Sequence, residues 1–281
     1  MTGLVVTGYA SLDYPVGLSG QIGGDRTTLI DHRDPAAWPR IGGCPAYMAL
    51  AVTREGGSVS PLTWIGTGAE SDHFVGALRD AGADIGGIAS LPSERTPTAI
   101  LAYQADGTCA CLFDPVFAGE ETLTQAQRDL LAGADHLCIS VGPPHLTREI
   151  LACRKASARL YWVIKNDAHS FFPEICGELS SAADVIFCNE AERSLVAETP
   201  PETTIVETRG LRGIAVECEG QVQTLTIDPL AVRDTTGAGD TLAGGFIAAQ
   251  MAGTMDALAA TQAGLDAANK MLKQRQERQT S

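Results

Sequence analysis

The chain has 281 residues, 44% hydrophobic and 19% charged, which suits one large α/β domain and is short for two. Its net charge of −14 argues against nucleic acid and anionic membranes as partners, since both reward clustered Lys and Arg. No apolar run reaches the ~20 residues that span a bilayer, and the start, MTGLVVTGYASLD, lacks the basic stretch of a signal peptide, so a cytoplasmic protein opening on a buried strand is expected. Eight cysteines without a Cys-x-x-Cys pair read as buried free thiols of a reducing compartment. Cys109 and Cys111 share a face of one strand but lack further metal ligands.

In chain order, Leu4–Val6 is a fully apolar run and is predicted as the first buried strand. The following YPVGLSGQIGGDRTTLIDHRD alternates in type around a Gly-Gly and reads as a two-stranded ribbon. Ala46–Glu55 places apolar residues at helical spacing, Val59–Ile65 is a strand, and Asp72–Ala81 is a helix again. Thr98–Tyr103 and Thr108–Phe113, joined by Ala-Asp-Gly, form a second hairpin. Helices over Thr124–Leu131 and Thr147–Ala156 then alternate with strands at Leu137–Val141, Tyr161–Ile164 and Val185–Phe187. Such alternation predicts a parallel sheet covered by helices on both faces. The two ribbons, about 14–34 and 96–115, are expected to join into a small β lid inserted in a single domain spanning 1–281. The polar end, Lys270–Ser281, is expected to fray beyond a final helix.

The chemistry concentrates in DTTGAGDTLAGGF. Gly237-Ala238-Gly239 carries almost no side chain, so backbone N–H groups can approach a ligand closely. A helix start follows, with its unpaired donors and partial positive charge. That combination stabilises the charge on a phosphoryl group in flight. Asp240 is placed to accept the proton of an attacking hydroxyl. Asn189 and Glu192 sit three apart at a helix start, on one face, and a sparse pair of this kind can hold magnesium that keeps its own waters. Asp13 follows a buried strand, where sheets of this kind carry ligand sites.

The run Asp234-Thr235-Thr236-Gly237-Ala238-Gly239-Asp240 resembles the second signature of the PfkB/ribokinase family of carbohydrate and nucleoside kinases. Four other features fall in the family's order. Gly8 to Asp13 resembles the first strand and its substrate-binding Asp, and Gly42-Gly43-Cys44-Pro45-Ala46 resembles the opening of the first signature. Asn189-Glu190-Ala191-Glu192 resembles the Asn-x-x-Glu that organises magnesium, and Thr208-Arg209-Gly210 the nucleotide-binding Thr-x-Gly before a late hairpin. The resemblance implies a ribokinase-like α/β fold and an ATP- and Mg2+-dependent kinase with Asp240 as base and Gly237, Ala238 and Gly239 as anion hole. It implies substrate contacts from Asp13, Gly42, Gly43 and Tyr47, nucleotide contacts from Thr208, Gly210 and Gly213, and magnesium steered through water by Asn189 and Glu192. Relatives with a β lid dimerise through it, which implies a homodimer.

The departures lie on the substrate side. The ribokinase Gly-Gly-Lys-Gly-Ala-Asn becomes Gly42-Gly43-Cys44-Pro45-Ala46-Tyr47, and Gly142 stands where the family carries a substrate-binding Glu. Both count against D-ribose. Tyr9 and Tyr47, with Tyr103 or Phe113, could stack a flat base, so a nucleoside stays open beside a sugar or polyol. Lys165-Asn166-Asp167-Ala168-His169 replaces the family's Asp-x-Asn-x-Arg, leaving Asp167 near the metal and His169 on a surface loop. Asp234 matches the Asp lining the family's monovalent-cation (K+) site, yet LDAANKMLKQRQERQTS offers no loop with the remaining ligands. A regulator that kept the fold and lost turnover is the alternative from another class. A dinucleotide-dependent oxidoreductase would need Gly-x-Gly-x-x-Gly after the first strand, and Gly8-Tyr9-Ala10-Ser11 does not supply it.

Overall fold

The computed structural model describes residues 3–35, 38–117 and 119–280, with side chains to 278. The chain starts with β1 (Leu4–Thr7) in the main sheet and passes at once into a small second sheet through β2 (Ser11–Leu18), β3 (Ile30–His32) and β4 (Arg40–Gly42). It returns through α1 (Cys44–Arg54), β5 (Val59–Ile65), α2 (Ala69–Asp80) and β6 (Ile88–Ser90), then leaves again for β7 (Thr98–Tyr103) and β8 (Cys109–Asp114). The middle of the chain alternates α3 (Gln125–Gly133), β9 (His136–Ile139), α4 (Thr147–Cys153), β10 (Arg159–Val163), α5 (Pro173–Ala182) and β11 (Val185–Asn189). It closes with β12 (Thr204–Thr208), β13 (Ile214–Cys218), β14 (Gln221–Leu225), α6 (Ala238–Met251) and α7 (Ala257–Thr280).

The main sheet has nine strands in the order β14-β13-β12-β11-β10-β9-β1-β5-β6. It is parallel from β12 to β6, as the strand–helix alternation requires. The last two strands, β13 and β14, run antiparallel. Their connections are single turns, too short for a parallel crossover. Helices cover both faces, so alternate residues of each strand enter separate cores. In β1, Leu4 and Val6 join α1, α6 and α7 on one face. Val5 joins Trp162, Ile175 and Leu179 on the other.

The two ribbons do join. The second sheet has the order β3-β2-β7-β8, with β4 also paired to β2. Strands β2 and β7 are parallel and in register from Leu12–Thr98 to Gly17–Tyr103, which is how hairpins remote in sequence form one lid.

Two expectations need correction. The polar C-terminal stretch does not fray after Lys270: α7 continues to Thr280, and Met271 is buried within it. Lys273, Gln274, Glu277 and Arg278 there are exposed, but Arg275 and Gln276 are half-buried, a difference that a uniformly polar run does not reveal. Ser281 lies outside the described residues. Cys109 and Cys111 are exposed, because β8 is the outer lid strand. No group of three or more metal-ligating His, Cys, Asp or Glu occurs among the described residues. No helix described is long and apolar enough to cross a membrane.

Candidate active site

Gly237 ends the loop after the lid's landing zone and begins α6. Its φ is +75°, and a Cβ there would sit 2.6 Å from the Tyr47 ring, so only glycine fits on two counts. Gly239 differs: a Cβ there would meet nothing within 4 Å. Exposed Gly239 therefore opens onto free space at the helix N-terminus, as a phosphoryl site needs. The Ala238 N–H donates to the Thr235 carbonyl at 3.0 Å, closing a turn. In this structure the Ala238 N–H expected in the anion hole is thus engaged in shaping the loop.

Asp240 follows in the first turn of α6, only 3% exposed. Lys165 Nζ lies 3.0 Å from its Oδ1, and the Cys44 thiol donates to the same oxygen at 2.7 Å. Lys165 extends from the end of β10, whose neighbour in the core is α6. Burial pulls the Lys165 ammonium down, but the carboxylates of Asp240 and Glu192 more than offset it and hold it above its ordinary value. Burial, reinforced by Asp240, pushes the Cys44 thiol well up, so it stays a neutral donor. Sequence reasoning missed both partners. In the sequence Cys44 stands only as a lost polar contact, and Lys165 only as part of an eroded motif. Asp167 caps the loop, its Oδ1 accepting from the N–H groups of His169 (2.9 Å) and Ser170 (3.2 Å). His169 is exposed, as expected.

On the substrate side, Asp13 is 2% exposed and lies within lid strand β2. Its Oδ1 accepts from Ser11 Oγ at 2.5 Å and its Oδ2 from Tyr47 OH at 2.6 Å. Burial raises its pKa despite these bonds and nearby Arg40. A Cβ at Gly42 would overlap the Asp13 carboxylate at 2.2 Å. Gly43 has φ +84° and leaves 2.1 Å to the Tyr9 carbonyl. These residues do come together as predicted, but as a packed unit. Tyr47 is not an open stacking face: its ring lies on Gly237 and beneath the guanidinium groups of Arg40 and Arg275, 5.8 and 5.9 Å from its centroid. Arg40 also donates from Nε to Tyr47 OH at 2.9 Å and pairs through both outer nitrogens with Asp234. Burial pushes the Asp234 carboxyl up, but Arg40 and Arg275 prevail and bring it down to about 2.

On the nucleotide side, Asn189 ends β11 and Glu192 follows after a turn, before a single 3-10 turn at Arg193–Leu195. The expected helix start is thus a tight turn. The pair is reciprocal: Glu192 Oε2 accepts from the Asn189 N–H at 2.8 Å, and Asn189 Oδ1 from the Glu192 N–H at 2.9 Å. Burial raises the Glu192 carboxyl. This sparse donor set fits a magnesium ion that keeps its own waters, not one caged by protein oxygens. Thr208 ends β12, and its carbonyl accepts from the Glu190 N–H at 3.1 Å, which ties the two turns together. Gly210 and Gly213 have φ of +55° and +93°, and a Cβ on Gly213 would reach the Leu225 carbonyl at 2.1 Å.

The lid rests on this site. Tyr103 OH, at the end of β7, hydrogen-bonds Thr236 Oγ1 inside the glycine-rich loop. Arg233 Nη1, just before that loop, is 3.5 Å from Asp31 Oδ1 of β3. Tyr9 and Phe113 of β8 form a tilted aromatic pair with centroids 5.1 Å apart.

Fold and site together define a ribokinase-like kinase architecture: a nine-stranded sheet, a β lid, and a glycine-rich helix start bearing a buried carboxylate. The pfkB family carbohydrate kinase model matches residues 1–280, and the chain belongs to that family. Solved structures agree in fold. The nucleoside kinase of Methanocaldococcus jannaschii is similar with a TM-score of 0.80 at 18% identity, covering 97% of this chain and 92% of that one. Ribokinase from Cryptococcus neoformans in complex with ADP gives 0.80 at 23% identity, covering 95% and 93%. Arabidopsis thaliana ribokinase with ribose and ATP gives 0.77 at 20%, covering 97% and 93%. No curated protein matches the sequence.

Proposed function

We propose that the chain transfers the γ-phosphoryl group of ATP to a hydroxyl of a small sugar or related polyol. The observation that carries this reading is Asp240, a buried carboxylate one residue beyond the open space at Gly239 and 3.0 Å from Lys165. Asp240 takes the hydroxyl proton as the substrate oxygen bonds to the γ-phosphorus. The bond from that phosphorus to the β,γ-bridging oxygen breaks, and ADP leaves with the electron pair. The N–H groups of Gly237 and Gly239, reinforced by the α6 dipole, hold the transferring group. Lys165 adds positive charge beside it. Thr208, Gly210 and Gly213 shape the bed for the nucleotide. Magnesium, when bound, neutralises the phosphate charge, and Asn189 and Glu192 would hold its waters. Asp13, Gly42, Gly43 and Tyr47 form the floor under the substrate, and the lid excludes the water that would otherwise hydrolyse ATP.

A nucleoside acceptor is the second reading. The Tyr9–Phe113 pair supports it, since it offers aromatic surface between the main sheet and the lid where a flat base could stack. The M. jannaschii relative is described as a nucleoside kinase and the A. thaliana one binds ribose, so the fold accommodates either class. Exposed Ile30, Ile100 and Leu112 on lid strands support a homodimer formed through that sheet.

An ADP-release screen over sugars, sugar phosphates and nucleosides with magnesium tests the proposal. Turnover of one class is expected, and Asp240→Asn should abolish it while leaving nucleotide affinity near wild type. Retention of more than about a tenth of kcat would remove Asp240 from the role of base. A ligand that binds tightly without ADP production would favour a regulator instead.

A further inference from the structure

When the N–H groups of a short loop point towards an anion, its carbonyl groups turn the other way and need partners of their own. Behind the Asp234–Gly239 loop that partner is one side chain. Arg275 Nη1 donates to the carbonyls of Asp234 at 3.2 Å and of Thr236 at 2.6 Å. It also lies 3.6 Å from Asp234 Oδ1. Three oxygens from a three-residue stretch thus converge on a single nitrogen of a side chain only 11% exposed. Two carbonyls and a carboxylate are the hard oxygen donors that a bound metal cation would also seek.

The residues here do not fit such an ion. The guanidinium already takes the oxygens, and Arg40 engages both oxygens of the Asp234 carboxylate. The charges of Arg40 and Arg275 balance those of Asp13 and Asp234, so an added cation would leave uncompensated charge in a buried site. The guanidinium is also fixed in place. The Tyr47 ring backs it, and that ring is pinned by Gly237 on one side and by the Asp13 bond to its hydroxyl. The arginine comes from the last turns of α7, the segment whose polarity reads as a frayed end.

We propose that Arg275 is a built-in cation: a positioning residue that holds the Asp234–Gly239 loop from behind in place of a bound monovalent ion. Phosphate binding, and turnover with it, is then independent of potassium. This rests on the reading of that loop as the phosphoryl site. Arg275 itself touches no reacting atom, and its effect passes through the backbone it fixes.

The test compares wild type with Arg275→Ala in about 100 mM potassium chloride and in tetramethylammonium chloride of the same ionic strength. Two readouts are taken: affinity for a non-hydrolysable ATP analogue with magnesium, and amide hydrogen exchange of residues 234–239. Wild type should give the same affinity and exchange in both salts. In tetramethylammonium, Arg275→Ala should bind about tenfold more weakly, the loss expected for a charge-assisted hydrogen-bond pair, and should exchange faster in the loop. Potassium or a low concentration of guanidinium should restore it. Arg278→Ala removes the same charge three residues on, where the only bond described is to the Gln274 carbonyl, and should change neither readout. Tighter binding or slower loop exchange of wild type in potassium overturns the proposal, as does an Arg275→Ala protein that neither salt nor guanidinium affects. Should Arg275→Ala not fold, the wild-type comparison still decides. If no ATP analogue binds the wild type, the kinase reading fails, while loop exchange still reports on Arg275.

Discussion

Two glycines in one short run should fail in opposite ways. At Gly237 an alanine must hold φ near +75°, which costs about 1–2 kcal/mol for an L-residue. Its methyl would also stand 2.6 Å from the Tyr47 ring, and overpacking of that kind costs about 1–3 kcal/mol. The ring cannot swing aside cheaply, because its hydroxyl is tied to Asp13 and Arg40. Gly237→Ala is therefore expected to lose about 2–5 kcal/mol of stability, the sum of these terms. At Gly239 no atom lies within 4 Å of the new methyl and φ is ordinary. Gly239→Ala should match or slightly exceed wild type in stability, by up to about 0.5–1 kcal/mol, since alanine favours the helix. The methyl would stand in the space assigned to the transferring phosphoryl group, so kcat/KM should fall at least about a hundredfold, the loss seen when an oxyanion donor is removed. Urea denaturation and ADP-release kinetics separate the two effects. A Gly239→Ala enzyme of normal kcat/KM would refute the placement of the phosphoryl group. A Gly237→Ala protein as stable as wild type would refute the packing argument.

Two further predictions concern the network and the lid. Arg40 and Arg275 hold the Asp234 carboxyl at about 2, against about 3.9 in an unfolded chain. As pH falls the unfolded chain takes up its proton first, so the stability from this pairing is complete above about pH 4 and gone below about pH 2. Arg40→Gln should cost about 2 kcal/mol at pH 6, with the gap from wild type narrowing over that acid window in denaturant titrations; a gap constant with pH would exclude the linkage. Tyr103→Phe removes the hydroxyl that meets Thr236. About 1 kcal/mol of lid closure should be lost, read as a several-fold rise in ATP hydrolysis without acceptor; unchanged hydrolysis would mean that this contact does not seal the site.

The legible parts of this protein are those in which local sequence and final environment agree. Val59–Ile65 is mostly apolar, is buried along its whole length because both of its faces are covered, and forms a strand with those bounds. The chemistry proposed for Asp234–Asp240 is readable because the glycines, the helix start and the carboxylate all fall within seven adjacent residues. Lys165 was not readable: a lysine after a buried strand looks like a solvated strand end, and only the adjacency of β10 and α6 brings it to Asp240. Arg275 was hidden for the opposite reason. It sits in a run of polar residues that signals solvent, and the oxygens it meets are main-chain carbonyls, which have no sequence signature. Asp13 stands out in the sequence, but its saturation by Ser11 and Tyr47 depends on a fold-back of β4 onto β2 that no local pattern encodes.

At Gly244 and Gly245 helix α6 packs against its neighbours with almost no side-chain padding. A Cβ on Gly244 would come 2.8 Å from Ala51 of α1, and one on Gly245 would come 2.9 Å from the Gly264 backbone of α7. The middle of α6 is thus keyed closely to α1 and α7, and a larger residue at either glycine cannot be absorbed without movement. The lid is the reverse, with Leu112 and Phe113 exposed on an outer strand. Side-chain changes on the lid surface should therefore be absorbed far more readily than any added atom at the Gly244–Gly245 step.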